Sequence, residues 1–460
     1  MSKFFGDKKF YKMVFAVVIP IILQNGITSF VSLLDNIMVG LIGTEQMSGV
    51  AIANQLIFVF NLAVFGGISG AGIFGAQFHG NGDSEGVRYT LRFKLILCSI
   101  MMFFCIGLFY FKGENLISLF LSESNDGGNL ALALNEGKIY IRIMLWGLLP
   151  FILSQSFSST LRETGETVLP MEAGIIAVFT NLILNYLLIF GHFGFPEMGV
   201  AGAALATVIS RYVEFAVILV VILKHKEKFT FFEGLFKSFR IPSHLVKDII
   251  IKGSPLLMNE ILWSMGMSVI MQCYSVRGIA SIAALNIAQT VANLFDITFM
   301  SMGSAISIIV GQQLGAGEKE KARDTDTKLI VFGILSCFVF GSILALSAPF
   351  IPKIYNTTDS VKHLATQLLW IRALFMPVYS FVHCCYFTLR TGGKTVITFF
   401  FDSAFTWAVV IPIAFMLAHY TSFGIVAVYA LVQSVDIIKC ITGYILVKRG
   451  SWLNNLVSQK

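Results

Sequence analysis

Long apolar stretches alternate with short polar connections along the whole chain. Twelve stretches stand out, at 14–38, 48–77, 91–111, 139–161, 168–190, 199–223, 249–275, 281–310, 329–348, 361–388, 396–418 and 424–447. Each reaches the roughly 20 residues with which a helix crosses the hydrocarbon core of a bilayer. Lipid offers no partner to backbone amides, so segments of this kind are predicted to be helices. The predicted fold is therefore an all-α membrane protein with twelve transmembrane helices. The first stretch is too long for a signal peptide, and its end, Val39-Gly40-Leu41-Ile42-Gly43, is not a small-x-small cleavage site. It also carries a second pattern. Gln24, Thr28, Ser32 and Asp35 fall at helical spacing, giving that helix a polar face that ends in a carboxylate. An acid at membrane depth costs roughly 2.5–3.5 kcal/mol on insertion scales, which marks Asp35 as a functional candidate.

The stretches form two sets of six. Ile19-Pro20 recurs as Ser254-Pro255, and Ile52-Ala53 recurs as Ile287-Ala288 at the same offset. That offset also sets Gln77-Phe78-His79-Gly80-Asn81-Gly82-Asp83 on Gln312-Gln313-Leu314-Gly315-Ala316-Gly317-Glu318. Leu161-Arg162-Glu163-Thr164-Gly165 matches Leu389-Arg390-Thr391-Gly392-Gly393 at a slightly shorter offset, the change being a longer outer loop in the first half. Six helices per half give corresponding helices one orientation. The halves are predicted to be six-helix lobes related by a pseudo-twofold axis along the membrane normal, an arrangement found in transporters with a site near the midplane. The predicted domains are 1–223, a linker at 224–248, and 249–460.

Charge orients this arrangement. Of the 33 lysines and arginines, 24 lie in the termini and in the loops that share their side, and about seven lie in the opposite loops and flanks. By the positive-inside rule both termini and the 224–252 loop are expected in the cytoplasm of a multi-pass cell-membrane protein. The outer loops lean acidic, as in Glu114 to Glu136. The net charge of +7 reads as attraction to a lipid face rather than to nucleic acid. The seven cysteines lie in or beside apolar runs at spacings that suggest neither zinc nor disulfides.

Asp35-Asn36-Ile37-Met38-Val39-Gly40, the Gln-x-x-Gly-x-Gly-[Asp/Glu] segments after spans two and eight, and the paired Leu-Arg segments resemble the multidrug and toxic compound extrusion (MATE) family. The resemblance covers nearly the whole chain. It implies two six-helix lobes around a central cleft and export of organic cations in exchange for sodium ions or protons.

The candidate site in the first half combines Asp35 on span one, Asn181 and Asn185 four apart on span five, and Thr207 on span six. Thr207 follows a small-residue run, Gly199 to Ala204, that lets helices approach closely. One carboxylate, two amides and a hydroxyl are hard oxygen donors suited to a small cation. The resemblance carries a coupling-ion site onto Asp35, Asn181 and Asn185. The alternative is that these groups are interhelical hydrogen-bond partners. Gln24 and Thr28 are candidates for contact with substrate or a second cation.

In the second half, Glu260 with Ser264, Ser268 and Gln272 repeats the stripe of span one, and Asp296 lies mid-span where the repeat places Asn61; both are candidates, with Gln24 and Thr28, for contact with substrate or a second cation. Some MATE members use an acid on span ten, whereas Leu364 to Arg390 here holds none. Asp402 is expected near the cytoplasmic end of span eleven, within reach of water. Arg211 and Glu214, three apart on span six, are expected to neutralise each other, with Asp436 and Lys439 at the equivalent place with signs reversed. His383, Cys384 and Cys385 read as core. Pro20, Pro150, Pro255, Pro377 and Pro412 can kink their helices.

The leading functional expectation is a secondary antiporter, not an enzyme. It would export small organic cations against sodium ions or protons, as a monomer in the bilayer, with no cofactor, catalytic residue or resident metal. The Gly-x-Gly turns at 80–82 and 315–317 are not followed by a phosphate-binding loop, so ATP is not the expected energy source. The alternative is a flippase for an anionic lipid-linked sugar. A pyrophosphate head would call for several buried arginines.

Overall fold

The computed structural model describes residues 4–118, 130–355 and 357–458. The acidic outer segment predicted around Glu114 to Glu136 thus has its middle, 119–129, outside the described residues. So do the side chains of Leu33, Asn36, Thr44 and Ile279.

Among the described residues, twelve long helices run in chain order. They are α1 (Lys8–Gly40), α2 (Thr44–Gly80), α3 (Ser84–Ser118), α4 (Leu130–Glu163), α5 (Val168–Phe190), α6 (Gly199–Lys224), α7 (Ser243–Ser275), α8 (Ile279–Gly315), α9 (Lys319–Ser347), α10 (Asp359–Thr391), α11 (Thr395–Tyr420) and α12 (Ile425–Lys448). Eleven of them are both long and apolar enough to cross a membrane, the exception being α7. With 33 residues α7 is still long enough for a crossing. Asn259, Glu260 and a run of serines dilute its apolar content rather than shorten it.

The prolines act in three ways. Pro20, Pro255 and Pro377 sit inside continuous helices. Pro150 follows a tight turn at Leu145–Gly147 within α4. Pro412 follows two π-helical stretches in α11, Phe400–Ala404 and Thr406–Val410. A proline removes one backbone donor and crowds the carbonyl four residues back, so the widened turns before Pro412 are where that crowding is absorbed.

Packing divides the chain into two compact units. The N unit comprises 23–75 and 84–247, and the C unit comprises 1–22, 76–83 and 248–460. The N unit has one apolar core, built from residues such as Val50, Ile57, Val64, Met102, Tyr140, Ile152 and Ala204. In the C unit one core gathers Ile270, Leu285, Met376, Val410, Ala414 and Val432. A second gathers Val14, Val18, Ile306, Leu329 and Trp452.

The Gln-x-x-Gly-x-Gly segments show why those residues are required. A Cβ on Gly80 would lie 1.9 Å from the Gln312 carbonyl oxygen, and one on Gly315 would lie 1.9 Å from that of Gln77. The first glycine of each motif therefore permits a backbone-to-backbone contact. The second, Gly82 or Gly317, has positive φ and takes the left-handed turn that ends the helix. The tail is fastened to the same place. Gln77 donates to the Thr391 carbonyl at 3.1 Å and accepts from the Leu456 amide at 2.7 Å.

Candidate functional site

Four of the eight nominated side chains meet in the N unit. Asp35 Oδ1 accepts from Asn185 Nδ2 at 2.7 Å, and the same Nδ2 lies 3.2 Å from Asn181 Oδ1. Asn181 contacts Thr207 Oγ1 at 3.2 Å. Turning the Asn181 amide over improves the network: its nitrogen then donates to both Asp35 oxygens, at 3.0 and 2.9 Å, while its oxygen accepts from Thr207. Asn181 and Asn185 are buried. They share a face because they are four apart on α5, and α6 brings Thr207 in through Gly202. There a Cβ would stand 2.5 Å from the Leu188 carbonyl oxygen. The small-residue run thus places the hydroxyl.

Asn185 Oδ1 is buried and has no hydrogen-bond partner. A buried acceptor left open costs about 1–3 kcal/mol, so the cluster is short of one donor or cation. Tyr140 of α4 lies buried beside Asn54 and Thr207 and closes another side. Sequence reasoning does not find it, because a lone tyrosine in an apolar run carries no spacing signal.

The polar stripe of α1 does not act as one surface. Gln24 lies about three helical turns from Asp35. Its Oε1 accepts from Arg162 at 3.2 Å, and it packs against Gly174. Thr28 is exposed and donates to the Gln24 carbonyl of its own helix at 2.8 Å. Neither joins the Asp35 cluster.

Charges in the C unit are arranged differently from the expectation. Asp296 is buried and ion-paired to Arg372 of α10, whose guanidinium lies 4.2 Å from the centre of the Tyr379 ring. By sequence Arg372 belongs with the outer flanks, yet it is the partner that makes a buried carboxylate tolerable there. Glu260 is half-buried, with Arg390 and Asp402 as charged neighbours. The buried residue of that turn is Asn259. Its Nδ2 donates to Asp402 Oδ2 at 3.1 Å, and its Oδ1 accepts from Ser403 Oγ at 2.7 Å. Asp402, expected to reach water, is partly exposed and is bonded on its other side by Asn259 and by Lys439 Nζ at 3.2 Å.

Lys439 also reaches Asp436 at 3.7 Å, as the reversed pair predicted. The N-unit pair does not form: among the described residues, no ion pair joins Arg211 to Glu214. Arg211 instead lies 4.6 Å from the centre of the Phe151 ring. Glu214 stays an electrostatic neighbour of Arg211 without a direct ion pair, and the guanidinium packs on the ring. Lys94, an inner-loop charge by sequence, is fully buried and bonds both Glu163 oxygens at 2.6 Å. Asp326 is also buried and accepts from Thr388 at 2.6 Å. His383 packs between Phe299 and Phe387, and Cys384 and Cys385 are buried, as expected of core residues.

Comparison with known proteins agrees with this architecture. A model of the MatE family matches residues 20–187 and 255–416, the two halves of the repeat. The probable multidrug resistance protein NorM of Thermotoga maritima is 26% identical over 420 residues, covering 91% of this chain and 88% of that protein. The probable multidrug resistance protein YoeA of Bacillus subtilis is 26% identical over 430 residues, covering 89% and 88%. Among solved structures, an outward-facing multidrug resistance transporter superposes with a TM-score of 0.83 at 20% identity, covering 97% of each chain. A transporter of Pyrococcus furiosus gives 0.83 at 20% identity, covering 98% of each.

Proposed function

Because the chain belongs to the MatE family of multidrug efflux transporters, we propose that it is a secondary antiporter of the cell membrane. In this reading it exports small organic cations in exchange for a sodium ion or a proton, and the N-unit cluster is where that ion binds. The observation that carries the reading is the part-buried network of Asp35, Asn181, Asn185 and Thr207, with an open acceptor at the buried Asn185 Oδ1. A carboxylate at membrane depth is costly, and a small cation or a proton arriving there relieves both the charge and the missing donor. A sodium ion would be held by Asp35 together with amide and hydroxyl oxygens, after the amides turn their oxygens inward. A proton would reside on Asp35 itself. Moving one net charge down a potential of about 100 mV releases about 2.3 kcal/mol; exchange of one such ion for one singly charged cation moves no net charge, so the drive there is the concentration gradient of the ion.

Both termini and the 224–252 loop face the cytoplasm in this reading, following the distribution of lysine and arginine. The test is efflux of a fluorescent cation from cells, with sodium and pH varied independently. Efflux that follows one of the two gradients and is lost in Asp35→Asn supports the reading. Efflux indifferent to both gradients opposes it.

A further inference from the structure

A cleft of about 470 Å³ lies between the first turns of α3 and the segment that follows α6. It is lined by Arg88, Arg92, Lys237 and Arg240, with Tyr89, Ser238, Glu85 and Glu233 at its edges. The segment is fastened to α3 through its own backbone. Arg92 donates to the carbonyls of Gly234 at 2.8 Å, Leu235 at 3.0 Å and Arg240 at 3.3 Å. Arg88 donates to those of Phe231 and Thr230, both at 3.3 Å. The ring of Phe232 anchors the segment on Phe157 at 4.9 Å.

Two features of this arrangement call for a ligand. Arg92 is only 6% exposed, yet its guanidinium meets carbonyl oxygens and no carboxylate. Among the described residues, no ion pair engages any of the four cations. Of the two acids nearby, Glu85 accepts from Tyr89. A buried cation without an anion is unfavourable, so the cleft is electrostatically complementary to a negative group. Beside it, Phe236 and Phe239 stand 63% and 54% exposed with their rings 6.2 Å apart. Exposed aromatics next to exposed lysine and arginine are the composition of a segment lying in a membrane interface.

We propose that this cleft binds the phosphate headgroup of an anionic phospholipid of the inner leaflet. Arg88, Arg92, Lys237 and Arg240 face the phosphate, and Phe236 and Phe239 enter the acyl region. The proposal rests on the cytoplasmic placement of the 224–252 loop.

The test uses the full chain in nanodiscs of phosphatidylcholine with or without phosphatidylglycerol, and native mass spectrometry to count retained lipid. Wild type is expected to retain phosphatidylglycerol over phosphatidylcholine. Lys237→Gln with Arg240→Gln, both on exposed side chains, is expected to weaken that preference by about 25-fold, near five-fold per charge at a membrane surface. Phe236→Ser with Phe239→Ser is expected to weaken retention of both lipids, and millimolar inorganic phosphate is expected not to displace phosphatidylglycerol. Equal retention of the two lipids by wild type, or no effect of the charge variant, overturns the proposal. So does full displacement by phosphate together with silence of the phenylalanine variant, which would make the cleft a free-phosphate site. Labelling of Ser238→Cys from outside intact cells would instead overturn the topology, whatever the lipid result.

Discussion

The clearest contrast in the molecule is between the Asp35 cluster of the N unit and the place that corresponds to it in the C unit. The offset that aligns the two proline-bearing helices sets Asp35 on Ile270. Buried positions of α5 at Asn181, Asn185 and Ile189 recur in α11 as Val410, Ala414 and Ala418. Buried positions of α6 at Val200, Ala203 and Ala204 recur in α12 as Ile425, Val428 and Tyr429, which sets Thr207 on Val432. All four counterparts, Ile270, Val410, Ala414 and Val432, lie in one apolar core. Corresponding helices thus hold a polar cluster in one unit, where Gly202 brings α5 and α6 close together, and hydrocarbon in the other. The scaffold does not require the polar groups, which is the strongest structural reason to assign them a function.

The reverse contrast is also present. Asp296 and Arg372 correspond to Asn61 and Met144, so this ion pair exists in the C unit alone. Lys94 and Glu163 form a buried pair in the N unit, while the position matching Glu163 is Thr391.

Four experiments test these contrasts, the largest effect first. Glu163→Ala leaves the buried Lys94 ammonium without its carboxylate and is expected to cost about 3–5 kcal/mol, whereas Thr391→Ala is expected to cost about 1 kcal/mol. Thermal unfolding in detergent measures both, and equal losses would remove the distinction between the units.

Arg372→Met is expected to destabilise by a similar amount, about 3–5 kcal/mol, because it strands Asp296. Adding Asp296→Asn installs the N-unit identities and is expected to restore most of the loss. A double-mutant cycle with no coupling would show that the pair does not interact. Ile270→Asp, the converse of Asp35, places a carboxylate in hydrocarbon and is expected to cost roughly 2.5–3.5 kcal/mol with no gain in transport. Normal stability in this variant would mean that the C unit can host the acid equally well. Asn185→Ala removes one member of the cluster and is expected to weaken coupling-ion affinity by about ten-fold, or about 1.4 kcal/mol, with stability changed by less. Ion titration of the efflux rate reads it.

Much of this was legible in the sequence because it depends on period and spacing. The helices, the repeat, and the shared face of Asn181 and Asn185 follow from apolar run length and from residues four apart on a helix, while the joining of those asparagines to Asp35 is implied by the family resemblance. What was hidden depends on partners distant in the chain. Arg372 reads as a flanking charge because its carboxylate is 76 residues away. Lys94 reads as a loop charge because Glu163 lies on another helix. The bonds of the partly exposed Asp402 were hidden because Asn259 and Lys439 lie on other helices. The π-helical turns of α11 have no sequence period of their own. They shift the register by one residue, so the offset of the Leu-Arg segments points from Asn181 to Val409, whereas the buried counterpart is Val410.

The central claim is that one carboxylate in the N unit couples export to the ion gradient. The most direct measurement is efflux of several cations of different size by Asp35→Asn, at matched expression and with correct membrane insertion. A coupling acid serves every turnover, so efflux of all substrates is expected to fall to background, with Glu260→Gln altering at most the profile of substrates exported. Wild-type efflux by Asp35→Asn, or loss of some substrates with others unaffected, would contradict the account.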